Sequence, residues 1–176
     1  IGIISAGDMG AAIGNVLTHG GIDVSTPLAG RSKLSLTRAA ESGMRDAGTV
    51  EGLVREADVV LSVLVPAEAE RIADEIIAAM KAVGKRPPFV DCNAIAPQTV
   101  ARIAERIEAA GAVFIDAGII GQPPKPGEQR TRLHCSGPDT SAFEALVENG
   151  LDVRRVGPTV GQASGLKMVY ASSTNA

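Results

Sequence analysis

Short apolar runs of strand length alternate along this chain with longer stretches whose apolar residues recur at three- and four-residue spacing. Residues 1–4 are apolar and largely β-branched, the pattern of a buried strand. Residues 10–18 read as a helix that ends at His19-Gly20-Gly21. A second strand is predicted over 24–29 and a helix over 32–41, closed by Gly43. A weak strand near Met44 and a short helix over 49–55 follow. Residues 58–65 are nearly all apolar, as in a central parallel strand covered on both faces. Pro66 marks a helix start, and residues 67–83 place Ile72, Ile76 and Met80 on one stripe. A strand over 89–92, a helix from Pro97 to about Ala109 and a strand over 113–116 complete this regular part.

The pattern then changes. Gly118 to Gln129 holds Gly121, Pro123, Pro124, Pro126 and Gly127, which predicts a loop. Residues 131–136 alternate like a strand, and Asp139 is placed to cap a helix through Val147. A last strand is predicted over 153–156, and a final helix begins near Gly161. Repeated strand–helix units predict an α/β fold, doubly wound and Rossmann-like, with a mostly parallel sheet. We expect residues 1–160 to form a dinucleotide-binding domain and 161–176 to start a helix that leads into another domain. The chain starts inside a strand without an initiator Met and stops inside a helix, so further residues are expected at both ends.

The 176 residues are enough for one domain with a substantial core. Apolar residues make up 45% and aromatic residues only 2%, so that core is aliphatic. A formal charge of −3 argues against a general nucleic-acid binder. Cys92 and Cys135 have no metal-ligand spacing and read as buried free thiols of a reducing compartment, which points to the cytoplasm. No apolar stretch approaches the ~20 residues of a membrane span, and no signal peptide is visible.

In a doubly wound fold, ligands bind beyond the C-terminal ends of the strands. The first such end carries Ser5-Ala6-Gly7-Asp8-Met9-Gly10 between strand and helix. That order suits a dinucleotide pyrophosphate: Gly7 allows backbone approach, Gly10 allows close helix packing, and the helix N-terminus attracts the anion. Ser5 stands where the usual pattern has its first glycine. The second end carries Gly30-Arg31-Ser32, twenty residues after Gly10, where an NAD site places a carboxylate. A guanidinium and a hydroxyl suit a 2′-phosphate, so NADP is expected over NAD. Leu64-Val65-Pro66 either offers backbone to the nicotinamide ribose or simply starts a helix. Asn93 either bonds a substrate or carboxamide, or bonds its own turn. Gly121 and Gln122 offer N–H donors to a substrate carboxylate. Lys167 lies early in the last helix, after small residues; spacing alone reads it as a solvated lysine. His134 reads as structural and His19 as a helix C-terminal residue.

Together these motifs resemble the beta-hydroxyacid dehydrogenases, a family that includes 3-hydroxyisobutyrate dehydrogenase and, more distantly, 6-phosphogluconate dehydrogenase. Residues 5–10 look like the family's G-x-G-x-M-G, Leu64-Val65-Pro66 like its L-P loop, and residues 91–97 like D-x-S-T-x-x-P. Residues 116–122 look like its D-A-P-V-S-G-G substrate segment, with Gly118, Ile120, Gly121 and Gln122 at matching positions. Residues 161–167 look like the G-x-G-x-x-x-K that carries the catalytic lysine. The resemblance makes Lys167 the general base for alcohol oxidation and the acid in reverse, with hydride exchanged at the nicotinamide. It implies an NAD(P)-dependent oxidoreductase for a small hydroxy acid or its carbonyl partner. It also implies a second, all-helical domain that forms a homodimer.

The chain departs from the family in two places. Ile120-Gly121-Gln122 replaces Ser-Gly-Gly, and Ala171 replaces an Asn one turn after the lysine, with Asn175 a further turn on. Pro123-Pro124-Lys125-Pro126 and Arg130-Thr131-Arg132-Leu133 instead resemble a phosphogluconate-dehydrogenase-like branch with a C-terminal domain of unknown function. A non-catalytic NADP(H)-binding sensor and an imine reductase are the competing expectations.

Overall fold

A run of three buried residues, Gly2–Ile4 (β1), opens the chain at the centre of one eight-stranded sheet. The computed structural model describes residues 1–174; Asn175 lies outside them. Helix α1 (Asp8–His19) returns the chain to β2 (Ser25–Thr26), α2 (Lys33–Glu41) to β3 (Arg45–Asp46), and α3 (Val50–Glu56) to β4 (Val60–Ser62). A single 3₁₀ turn at Pro66–Glu68 leads into α4 (Ala69–Val83), then β5 (Phe89–Asp91), α5 (Pro97–Ala109) and β6 (Phe114–Ile120). The last part holds β7 (Arg132–Ser136), α6 (Ser141–Glu144) with a 3₁₀ extension, β8 (Asp152–Gly157) and α7 (Gln162–Ser173). The strand order is β3-β2-β1-β4-β5-β6-β7-β8. Every neighbouring pair is parallel except β6 and β7. The predicted doubly wound, mostly parallel α/β fold is therefore what the chain adopts.

Alternation along each strand divides the core into two layers. Leu61, Val90 and Ile115 face one side with Ile13, Val16 and Leu17 of α1. Val60, Phe89 and Phe114 face the other, against Ile72, Ile76 and Met80 of α4 and Ile103 and Ile107 of α5. Ile72, Ile76 and Met80 recur at four-residue spacing, which is why the helical stripe in the sequence becomes the buried face of α4. Each such aliphatic side chain contributes about 1.5–3 kcal/mol by burial. Phe89 and Phe114 sit side by side, ring centroids 6.1 Å apart, and are two of only three phenylalanines in an otherwise aliphatic core.

Three expectations are corrected. The second strand is only two residues long, because Pro27 has no N–H to continue the ladder. Residues 118–120 are not loop: β6 continues through Ile120, paired with β7 from Asp116↔Ser136 to Ile120↔Arg132. The helix after Asp139 shortens to α6 and tightens into 3₁₀ over Ala145–Asn149, ending at Gly150 with φ +103. Cys92 and Cys135 are both buried and free. No helix of the described residues is long and apolar enough to cross a membrane.

Candidate functional site

The two glycines of the first turn do different work. A Cβ on Gly10 would overlap the carbonyl oxygen of Ser5, so Gly10 lets α1 close onto the turn. Gly7 is the N-cap of α1 at φ −77 and ψ −174, a conformation any residue adopts. A Cβ there would meet no protein atom within 4 Å. Space beside Gly7 is thus open, and no side chain caps the first turn of α1. Its leading N–H groups remain available to an anion. No residue other than glycine has a positive φ among the described residues, so Ser5 fits the turn without a glycine's freedom. The Ser5 N–H donates to Val63 O at 3.1 Å, tying the turn to the exit of β4. Ala6 is buried, and the exposed Asp8 pairs with Arg38 of α2.

Beyond β2, Gly30 takes a left-handed φ of +72 and turns the chain outward at Arg31. Ser32 caps α2, its Oγ accepting from the Ser35 N–H at 3.2 Å. The exposed Arg31 lines a cleft of about 350 Å³ with Ser5, Ala29, Gly30 and Thr49. An adjoining cavity of about 190 Å³ shares Ser5 and Arg31 and adds Leu64 and Val65. Val65 is exposed, and Pro66 starts the 3₁₀ turn.

At the other end, Asn93 holds the loops together. Its Oδ1 accepts from the Leu64 N–H at 2.7 Å, its Nδ2 donates to Ser62 Oγ at 3.0 Å, and its own N–H donates to Asp91 Oδ1 at 2.9 Å. The Asn93 side chain therefore bonds not its own turn but β4 and the L-P loop, which it fixes, while the Asp91 carboxyl makes the bond within the turn. Asp91 belongs to a buried polar row crossing four strands in register: Ser62↔Asp91, Asp91↔Asp116 and Asp116↔Ser136. Burial pushes the Asp91 carboxyl up to about 7, the Asn93 N–H opposes this, and the neighbouring Asp116 adds to it. Asp91 Oδ2 has no hydrogen-bond partner.

Asp116 anchors the last helix. Gly161, the N-cap of α7, has no side chain to cap with, and Asp116 caps it from β6 instead. Its Oδ2 accepts from the Gly161 N–H at 2.9 Å, the Ser164 N–H at 3.0 Å and Ser136 Oγ at 3.1 Å. Its Oδ1 accepts from the Ser164 hydroxyl, and Ser136 Oγ accepts from the Ala163 N–H at 3.0 Å. A carboxylate at a helix N-terminus is favoured by the helix dipole as well. One turn later, Lys167 passes over Gly118. A Cβ on Gly118 would lie 2.9 Å from the Ala163 oxygen and 3.0 Å from the Lys167 Cβ.

Lys167 is half-buried and lines a cavity of about 170 Å³ with Met9, Leu64, Cys92, Asn93 and Ile119. Leu64 is common to this cavity and the middle one, so the three spaces run along the C-terminal edge of the sheet from Arg31 to Lys167. Open space at Gly7, the uncapped α1 and this continuous edge fit an extended dinucleotide. The substrate segment is divided. Gly118 lies under α7, and Ile120 is buried on the same strand face. Gly121 and Gln122 line a separate cavity of about 410 Å³ with Lys125 and Arg130. His134 stands opposite Gly118 on β7 and lines none of these spaces; burial and then the nearby Arg154 and Arg132 push its ring below its ordinary value. Sequence reasoning missed Ile119, Asp91 and Asp116; Asp91 ends an apolar strand and Asp116 interrupts one, and a carboxylate in such a run was the available signal. Among the described residues, no cluster of three His, Cys, Asp or Glu side chains is placed to hold a metal ion.

Known proteins share this fold. A conserved protein of unknown function, its structure described as similar to 3-hydroxyacid dehydrogenases, superposes with a TM-score of 0.84 at 31% identity, over 98% of this chain and 63% of that one. A conserved hypothetical protein from Sinorhizobium meliloti 1021 gives 0.82 at 26% identity, over 98% and 58%. An imine reductase from Myxococcus stipitatus, solved with NADP+, shares the fold with a TM-score of 0.82 at 23% identity, over 98% and 60%. An uncharacterized 28.5 kDa protein of Methanothermus fervidus, from the 7S RNA 5′ region, is 26% identical over 174 residues. The chain spans 64% of that relative's length. Residues 1–148 match the family described as the NAD binding domain of 6-phosphogluconate dehydrogenase, and the chain belongs to that family.

Proposed function

We propose that this domain binds NADP in preference to NAD and serves an oxidoreductase acting on a small hydroxy acid or its carbonyl partner. The observation that carries this reading is the single cavity lined by Lys167, Asn93, Leu64 and Met9. It puts an amine beside the L-P loop and the glycine turn, where the reacting end of an extended dinucleotide belongs. The bound cofactor supplies the hydride. Lys167 takes the hydroxyl proton during oxidation and returns it to the carbonyl oxygen in reduction. Asp116 fixes the start of the helix that carries it. Arg31, placed where an NAD site has its carboxylate, takes the 2′-phosphate with Ser32.

The test is kinetic and uses the full-length protein. Lys167→Ala is expected to lower kcat at least ~100-fold, the scale of acid–base catalysis, and to leave NADPH affinity unchanged. Unchanged turnover would overturn the role of Lys167, and turnover of cyclic imines by the variant would favour an imine reductase. NADPH binding without turnover across hydroxy acids and aldehydes would favour a sensor. Arg31→Ala should weaken NADP more than NAD; equal losses would reject the 2′-phosphate assignment. We also propose that α7 leads into a helical domain that forms a homodimer. Its exposed Val169 and Tyr170 support this, and the mass of the full-length protein in solution tests it.

A further inference from the structure

The cleft beyond β2 has a second wall that neither the glycine turn nor the β2 exit provides. Arg71, in the first turn of α4, lines both the 350 Å³ cleft and the adjoining 190 Å³ cavity, and Arg31 lines both as well. Apolar side chains lie between them, Ile4 and Ile72 in both spaces and Pro27 and Val50 in the larger. The cleft volume is within the ~300–1,000 Å³ of small-ligand sites.

The two arginines are differently prepared. Arg71 Nε donates to Glu68 Oε2 at 2.6 Å, and its Nη1 donates to Glu75 Oε2 at 3.0 Å. These partners sit three residues before and four residues after it on the same helical stripe. Two carboxylates face one guanidinium, so Arg71 offers little net attraction to a phosphate dianion. Its edges are occupied and its plane is held on a half-exposed side chain, which leaves stacking through the flat face as the contact it offers. Arg31 has no acidic partner among the described residues, and its edge remains free.

We propose that Arg71 is one face of a slot for a purine ring, the adenine of the dinucleotide, in the cleft it lines together with Arg31. Arg71 stacks on the ring through its guanidinium plane, whereas the edge of Arg31 reads the 2′-phosphate. Glu68 and Glu75 are positioning residues that orient Arg71. The proposal rests on the cofactor assignment made above and adds a division of labour to it: Arg71 recognises adenine in either cofactor, and Arg31 distinguishes the two.

Titration calorimetry of this chain with NADPH, NADH and 5′-AMP tests it, using Arg71→Gln, Arg71→Lys and Arg71→Tyr. Gln and Lys at this position should lose about tenfold in affinity for all three ligands alike, the scale of losing one stacking face. Tyr should restore most of the loss, since a flat ring stacks and carries no charge. Thermal melts establish that each variant is folded; position 71 is exposed on α4. A loss confined to NADPH would make Arg71 a phosphate contact and overturn the proposal. So would rescue by Lys but not by Tyr, or affinities that do not change. If the unsubstituted chain binds none of the three nucleotides, the cofactor assignment itself fails and takes the proposal with it.

Discussion

Gly7→Ala separates what the fold needs from what the ligand needs. The new methyl would meet no protein atom within 4 Å, and the backbone at φ −77, ψ −174 suits alanine. Two small effects on stability oppose each other. Losing a glycine's freedom in the unfolded chain gains about 0.4–1 kcal/mol. Alanine is a poorer N-cap than glycine, which costs about 0.5–1 kcal/mol. The net change should stay within about 0.5 kcal/mol, a Tm shift under about 2 °C for a chain of this size. Binding should respond differently. The methyl occupies the space beside the first turn of α1, where a pyrophosphate oxygen would accept from backbone N–H groups. Losing one charge-assisted hydrogen bond costs about 1.5–3 kcal/mol, or roughly 10- to 150-fold in affinity. Melting and calorimetric titration with NADPH on one preparation measure both quantities. Gly10→Ala is the control: its methyl would overlap the Ser5 carbonyl oxygen and must lower Tm with or without ligand. A large drop in Tm for Gly7→Ala with NADPH affinity intact would refute the reasoning.

Asp116→Asn should weaken the docking of α7, since one carboxylate accepts from Gly161, Ser164 and Ser136. A loss of about 2–3 kcal/mol is expected, with Tm falling by about 5–10 °C and faster hydrogen exchange confined first to α7; unchanged protection of α7 would contradict the anchor. Asp91→Asn should change how stability depends on pH. Burial pushes this carboxyl up to about 7 in the folded chain, from the ordinary 3.8 of an exposed aspartate. Between these values the folded state holds a proton that the unfolded state releases, so stability falls with rising pH by about 1.4 kcal/mol per unit and levels off above about 7. Urea unfolding from pH 4 to 8 should show that slope in the natural chain and lose it in the variant; parallel curves would exclude it.

Strands β1, β4 and β5 are legible in the sequence because continuous apolar runs bounded by turn residues have few other uses. The roles of Gly7 and Gly10 are legible too, since their spacing between strand and helix is local information. The extent of β6 is not. Gly118 looks like a loop residue, yet it is a glycine because α7 passes directly over it, and that requires knowing where residue 163 lies. Asp91 and Asp116 share a row only through strand register, which no local pattern encodes. The same limit hides Ile119. Strand alternation puts it on the face opposite Gly118 and into the Lys167 cavity, whereas alignment to the substrate motif points to Ile120. Arg71 escapes notice because a helical arginine between two glutamates reads as an ordinary solvated stripe.

The antiparallel pair of β6 with β7, the only one among the described residues, determines which part of a helix reaches the ligand edge. In a parallel βα unit the helix starts at that edge and runs away from it, so only its first turn can touch a ligand, as α1 does through its leading N–H groups and Met9. Since β7 and β8 run the opposite way, the helix after them starts at Asp116, level with the ends of β4 and β5, and climbs past Gly118 to the cavity at Ile119. One reversal of strand direction turns a helix that meets the ligand only with its first turn into one that brings a side chain from further along, Lys167, up to it. Phosphate recognition and proton transfer thus draw on opposite polarities of the same element. A second reversal before α7 would leave the nucleotide cradle whole and carry the lysine to the wrong end of the sheet.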